Sequence, residues 1–247
     1  MTLNSSKPAP TFKPLYQQVQ QLITERIVEG VWKPGEVLPS EFQLADLLGV
    51  SQGTVRKALN ALTEENVLYR RQGVGTFVSE HTLQKMLFHF FHFKSDDGDV
   101  SELPSAQLID TQLITPNEEI RHIFELPETE QVIEIHRIRS IKGNASIREL
   151  IYLPARYFVD LDKEAKLPHS LYHYYQQHFN ITVHKATDCL KAVLANKDDQ
   201  AVLKVPAGQP LLEVTRTARS LDGRLVEYRI SRANSQDIHY LVELNQR

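Results

Sequence analysis

The sequence predicts an α+β protein in two parts, a bundle of three short helices with a small hairpin followed by an antiparallel sheet carrying helices. Three observations predict it. Apolar residues recur at helical spacing in three capped segments before residue 65, two apolar stretches then flank a glycine turn, and the remainder repeats itself at an offset of 79 residues. The length of 247 residues suits one large or two smaller domains, and 41% apolar with 24% charged residues is ordinary globular composition. The single cysteine, Cys189, forms no internal disulfide and fits a reducing compartment, no apolar run has the length of a membrane helix, and residues 1–12 read as a loose tail without a secretory signal. A cytoplasmic protein is expected.

Leu15, Val19, Leu22, Ile23 and Ile27 form one helical stripe, with Pro14 at its start and Gly30 at its end. After the Lys33-Pro34-Gly35 turn, Ser40 and Gln43 form a capping box, so a second helix starts at Glu41 with Phe42, Leu44, Ala45 and Leu48 as its apolar side. Gly49 stops it. Ser51 caps a third helix that buries Val55, Ala58, Leu59 and Leu62 and turns Gln52, Gly53, Arg56, Lys57 and Asn60 outward. Beyond Asn66, the stretches Val67–Tyr69 and Thr76–Val78 flank Arg70-Arg71-Gln72-Gly73-Val74-Gly75. This is the outline of a winged helix-turn-helix, whose second motif helix lies in a major groove. A slim polar helix end admits base edges and phosphates, and a glycine tip with flanking arginines suits a narrow groove. A structural or protein-binding three-helix module has the same outline. Net charge does not choose between them: it is −3 overall, and residues 13–79 hold seven basic and seven acidic side chains.

Residues 80–95, rich in Phe and His, are expected to connect the parts, with the second domain spanning 96–247. In the repeat, Asn117 falls on Asn196, Pro127 on Pro206, Glu134 on Glu213 and Arg137 on Arg216, and after one inserted residue Gly143 falls on Gly223. Each copy reads as a short helix, a strand, a glycine turn and a strand, with a helix near Leu171–Phe179 between the copies. Alternation puts Ile133, Ile135, Arg137, Arg139 and Ile141 on one face, Glu149 with Ile147, Ile151 and Leu153, and Arg216 with Leu212, Val214 and Ala218. Charges on an apolar face need a partner or a ligand. An internal Arg137–Glu149 pair and a pocket in which two arginines await an anion both satisfy that need. The pairs His89/His92 and His169/His173 lack a third ligand at a convincing spacing, so no metal or other cofactor is expected.

Residues Leu15-Tyr16, Pro34-Gly35, Leu38-Pro39-Ser40-Glu41, Leu44-Ala45, Val50-Ser51, Thr54-Val55-Arg56, Ala58-Leu59 and Gly73–Val78 resemble the winged helix of the GntR family of bacterial transcription regulators. Farther on, Arg137-Ile138-Arg139, Gly143, Glu149, Tyr152-Leu153-Pro154, Ser170-Leu171-Tyr172, Arg216, Asp222-Gly223 and Glu227-Tyr228 resemble the UTRA effector-binding domain of its HutC subfamily, a fold shared with chorismate lyase. The resemblance implies a homodimeric, ligand-responsive repressor of a palindromic operator in double-stranded DNA. DNA contacts are then expected from Ser51, Gln52, Thr54, Arg56, Lys57, Arg70, Arg71, Gln72 and Gly73. The family usually has Arg at the positions of Gln52 and often of Phe42, and Gln prefers adenine where Arg prefers guanine. It also implies that Arg137, Arg139, Glu149, Ser170 and Glu227 line a site for a small anionic metabolite, a sugar phosphate or a carboxylate. His92 falls near a position where some relatives have a phosphate-binding Ser. A lyase retaining activity on an aromatic acid, and a DNA-binding protein with a merely structural second domain, are the rival readings. No nucleophile–base pair stands out, so no enzyme is expected.

Overall fold

The computed structural model describes residues 13–80, 90–97 and 104–243. The expected tail, most of the expected connector and His89 lie outside them. The chain forms two compact units that divide at residue 80.

The first unit is α1 (Leu15–Val28), α2 (Glu41–Leu48), α3 (Gln52–Glu64) and a hairpin of β1 (Leu68–Arg71) and β2 (Gly75–Val78). The expected capping box closes the start of α2, where Ser40 Oγ accepts from the Gln43 amide and Gln43 Oε1 accepts from the Ser40 amide. Val55, Ala58, Leu59 and Leu62 are all buried, packing α3 against Val19, Ile23 and Ile27 of α1 and Leu44 of α2. Three expected core residues are corrected: Leu15, Leu22 and Phe42 are exposed, Phe42 at 74%. An eight-residue helix makes barely two turns, so α2 buries Leu44 and leaves the neighbouring turn outside. At the wing, Leu38 donates to the Thr76 carbonyl and Val37 bridges Phe77. A Cβ at Gly75, where φ is +149°, would lie 3.0 Å from Val37 Cγ2, so a side chain there would be strained by the backbone and would have to displace the Val37 methyl.

The second unit is built on a six-stranded antiparallel sheet with strand order β4-β5-β6-β9-β8-β7. Its strands are β4 (Ser105–Ile114), β5 (Val132–Ile141), β6 (Asn144–Pro154), β7 (Val183–Leu194), β8 (Pro210–Ser220) and β9 (Leu225–Ala233). Helices α4 (Glu118–Phe124), α5 (Leu171–Phe179) and α6 (Lys197–Leu203) join them, α5 with the bounds that the sequence predicts. The repeat is real and longer than expected, because each copy begins with a long edge strand: β4-α4-β5-β6 and β7-α6-β8-β9. The copies meet where β6 pairs with β9, with Leu150 opposite Ile230, Arg148 opposite Arg232 and Tyr152 opposite Tyr228. Lys142 and Gly143 both take positive φ, as a two-residue hairpin turn of the right twist requires.

On one sheet face, α5 and the 3-10 turns at Ala155–Tyr157 and Leu161–Lys163 cover Ile133, Ile135, Ile151, Leu153 and Val226. On the other, Ile120 and Phe124 of α4 pack on Tyr152 and Tyr228. The equivalent place under α6 is ionic: Asp199, wholly buried, accepts from Arg148 and Arg232 and from the Asn196 amide. The described part of the expected connector is built into this unit, since β3 (Phe93–Ser95) pairs with β10 (Ile238–Tyr240) and Phe93 packs on Ile147, Val214 and Ala233. Among the described residues no helix is long and apolar enough to cross a membrane.

Candidate functional sites

In the first unit the expected contact residues lie on the first turns of α3 and on the wing, all exposed except half-buried Thr54. Ser51 Oγ accepts from the Thr54 amide at 3.2 Å and lies 2.9 Å from Thr54 Oγ1, which fixes the first turn of α3 and leaves Gln52 exposed beside it. Arg56 and Lys57 follow on the exposed side. Lys57 Nζ lies 4.0 Å from the centroid of the Tyr16 ring, and the Arg71 guanidinium lies 5.0 Å from that of Phe77. Gln72 and Gly73 form the exposed tip. Arg56 and Arg70 share one carboxylate: Arg56 Nε donates to Glu41 Oε2 at 2.8 Å, and Arg70 Nη2 donates to Glu41 Oε1 at 3.2 Å and to Asn60 Oδ1 at 2.8 Å.

In the second unit, alternation along β5, β6, β8 and β9 turns a charged cluster inward beneath α5. Arg137, Arg139 and Glu149 are buried together, and the central carboxylate pairs with three guanidiniums: Arg137 Nε at 3.3 Å, Arg139 Nε at 3.0 Å and Arg229 Nη1 at 3.1 Å. Burial pushes the Glu149 carboxyl up, but Arg139, Arg229 and Arg137 outweigh it and hold it down at about 2. Burial lowers the Arg137 guanidinium to about 10 against the attraction of Glu149, which leaves it charged at neutral pH. Arg229 also donates to Glu227 at 2.8 Å, and that buried carboxylate accepts from the hydroxyls of Tyr172 at 2.8 Å and Tyr175 at 2.9 Å. Both phenols are pushed up, first by burial and then by Glu227.

The loop before α5 closes over these arginines through its backbone. Arg137 Nη2 and Arg139 Nη2 donate to the His169 carbonyl at 3.2 and 3.0 Å. Ser170 follows directly, at the start of α5, and its hydroxyl makes no capping bond there. His169 Nδ1 accepts from the Ala106 amide at 2.8 Å. Next to the cluster, Arg216 grips Asp188 through two 2.6 Å bonds and donates to the Phe90 carbonyl at 2.5 Å. His92 is half-buried with its ring 5.2 Å from Tyr240, whose hydroxyl donates to Asp188. Burial, and then Arg216, lower the His92 imidazole below its usual value.

The structure thus unites Arg137, Arg139, Glu149 and Glu227 in one network, puts Ser170 beside the carbonyls that cap it, and sets His92 on the adjoining Arg216–Asp188 pair. The internal Arg137–Glu149 pair weighed from the sequence is present. Sequence reasoning missed Arg229, Asp188, Tyr172 and Tyr175. The repeat carried the signal for Arg229, which stands 80 residues after Glu149, and strand alternation places it on the face of Glu227 and Ser231. Among the described residues no group of three His, Cys, Asp or Glu side chains is placed to hold a metal ion. An open cleft of about 830 Å³ lies at the turn end of the β5–β6 hairpin, lined by Lys142, Asn144, Lys204 and Asn234 among others, and none of the residues expected to bind an effector lines it.

Residues 15–78 match the model for bacterial regulatory proteins of the gntR family, and residues 101–239 match that of the UTRA domain. The HTH-type transcriptional repressor NagR of Bacillus subtilis is 29% identical over 228 residues, 92% of each chain. A histidine utilization repressor of Pseudomonas putida is 29% identical over 211 residues, 85% of this chain and 84% of that one. Among solved structures, PhnF from Mycobacterium smegmatis superposes with a TM-score of 0.56 at 19% identity, over 93% of this chain and all of that one, which speaks for the fold alone. A winged helix-turn-helix joined to a repeated antiparallel sheet, matched by both domain models in this order, makes the chain a member of the gntR family of bacterial transcription regulators, in the HutC subfamily that carries a UTRA domain.

Proposed function

We propose that the protein is a repressor of transcription whose second unit binds a small anionic metabolite and thereby changes its affinity for a palindromic operator. Ser51, Gln52, Thr54, Arg56 and Lys57 on α3, with Arg70, Arg71, Gln72 and Gly73 on the wing, contact the DNA. The exposure of all of them but half-buried Thr54, and the carboxylate of Glu41 that Arg56 and Arg70 share, support this reading. A homodimer inserts two α3 helices into successive major grooves about 34 Å apart. The long edge strands β4 and β7, with exposed Ile109, Leu113, Leu190 and Leu194, support self-association. The protein acts in the cytoplasm.

One observation carries the effector assignment. Among the described residues, four buried guanidiniums (Arg137, Arg139, Arg216, Arg229) face three carboxylates (Glu149, Glu227, Asp188), which leaves one positive charge uncompensated. Arg229 Nε, although buried, also lacks a hydrogen-bond partner, and Arg137 Nε and Glu149 Oε2 meet only each other, at 3.3 Å without hydrogen-bond geometry. A monoanion completes this balance better than a phosphate dianion, so a carboxylate is the favoured effector class. Arg137, Arg139, Glu149, Ser170, Glu227 and His92 form its site, and its binding favours one mutual arrangement of the two units. Thermal-shift screening of the full chain against small monocarboxylates and sugar phosphates tests the assignment. Stabilisation by a carboxylate that Arg139→Gln abolishes, without turnover, is the expected result. Turnover of the carboxylate, or stabilisation untouched in Arg139→Gln, overturns it.

A further inference from the structure

Glu41 is the first residue of α2, and no contact with DNA is assigned to it. Its carboxylate nevertheless ties together three elements: α2, which carries it; α3, which carries Arg56 and Asn60; and the wing strand β1, which carries Arg70. Each oxygen takes a different arginine, Oε2 at 2.8 Å from Arg56 Nε and Oε1 at 3.2 Å from Arg70 Nη2. The Glu41 side chain is only 20% exposed, whereas those of Arg56 and Arg70 are 57% and 41% exposed. The carboxylate therefore sits behind the guanidiniums, on the side away from solvent.

The geometry of the donors gives this arrangement a consequence. An arginine has five N–H groups in a rigid fork. Glu41 takes Nε of Arg56, whose side chain is 57% exposed, and the two terminal nitrogens are the pair that bidentate bonding with guanine or phosphate uses. Arg70 is fixed from two sides, because its Nη2 also reaches Asn60 Oδ1 at 2.8 Å. Long exposed side chains lose rotamer freedom when they bind, and a chain already held in place loses less. The same carboxylate offsets part of the positive charge that would hold the surface to any duplex regardless of sequence.

We infer that Glu41 is a positioning residue that raises discrimination between operator and non-specific DNA, by orienting Arg56 and Arg70 and by screening their charge. The inference rests on the reading of α3 and the wing as the DNA-contacting surface. The quantity to measure is the ratio of affinities for two duplexes: one selected from a randomised 30-base-pair pool with the wild-type full chain, and one of the same composition with scrambled sequence. Glu41→Gln removes the charge and keeps the length, and is expected to bind the scrambled duplex about fivefold more tightly while gaining nothing on the selected one, lowering the ratio about fivefold. Glu41→Asp keeps the charge but falls one methylene short of spanning both arginines, and is expected to lower the ratio through geometry. A residue that only supported the fold would weaken both affinities alike and leave the ratio unmoved, and the melting temperature of each variant reads that effect separately. A ratio reduced threefold or more in either variant supports the assignment, and ratios within threefold of wild type in both overturn it. If selection recovers no preferred duplex, or if Arg56→Ala binds the selected duplex as wild type does, the reading of the surface fails, and the role of Glu41 with it.

Discussion

Both units place arginines against glutamates, but in opposite media. In the first, Arg56 and Arg70 lie at the surface beside Glu41. In the second, Arg137, Arg139 and Arg229 are buried around Glu149. An exposed pair gains little energy, because water screens it and two long side chains must be held still. A buried cluster carries a large desolvation cost that only its own partners and hydrogen bonds offset. The first arrangement can therefore orient groups for a partner without contributing much stability, whereas the second is bound up with folding itself. The contrast suits the proposed roles: contact groups must leave water readily for DNA, and a sensor must change its balance when one charge is added.

Removing the buried carboxylate gives the largest expected effect. Glu149→Ala leaves three guanidiniums without their shared partner and destabilises the second unit by about 3–5 kcal/mol, read as a loss in the urea midpoint. A change below 1 kcal/mol would break the contrast. Acid acts on the same group. Its carboxyl is held at about 2 in the folded chain against an ordinary 4.5, so the stabilisation is complete above the ordinary value and is lost as pH falls toward 2. Urea midpoints measured at a series of pH values should fall as pH drops through that window. In Glu149→Gln that contribution should be absent. The smallest structural effect belongs to the first unit. Arg56→Ala should change unfolding free energy by less than about 0.5 kcal/mol and yet weaken binding to a selected duplex by about 1–3 kcal/mol. Equal losses in both measurements would mean that Arg56 is structural.

How much could be read in advance followed the range of the interactions. The caps at Ser40 and Ser51, the stripe on α3, the hairpin turn at Lys142-Gly143 and α5 itself depend on residues a few positions apart, and they stand where the sequence predicts them. Strands β4 and β7 escaped because each carries an irregularity that breaks the two-residue period: in β4 the shift between Leu108 and Asp110 puts Gln107, Asp110 and Gln112 on one face, opposite Ile138, His136 and Glu134, and in β7 a shift lies between Val183 and Lys185. Phe42 misled because apolar character at helical spacing does not say which turn of a short helix the core reaches.

The sequence by itself determined the local elements, the repeat and the turning of Arg137, Arg139 and Glu149 onto one side of their hairpin, because backbone periodicity and hairpin register are set by near neighbours. Only the tertiary structure decided which charges meet. Glu149 reaches Arg229 because the two copies of the repeat join edge to edge at β6 and β9, and Arg139 reaches the His169 carbonyl because the loop before α5 folds back over the sheet. These partners are 80 and 30 residues apart. At such separations burial chooses the neighbours, and no local pattern along the chain encodes them.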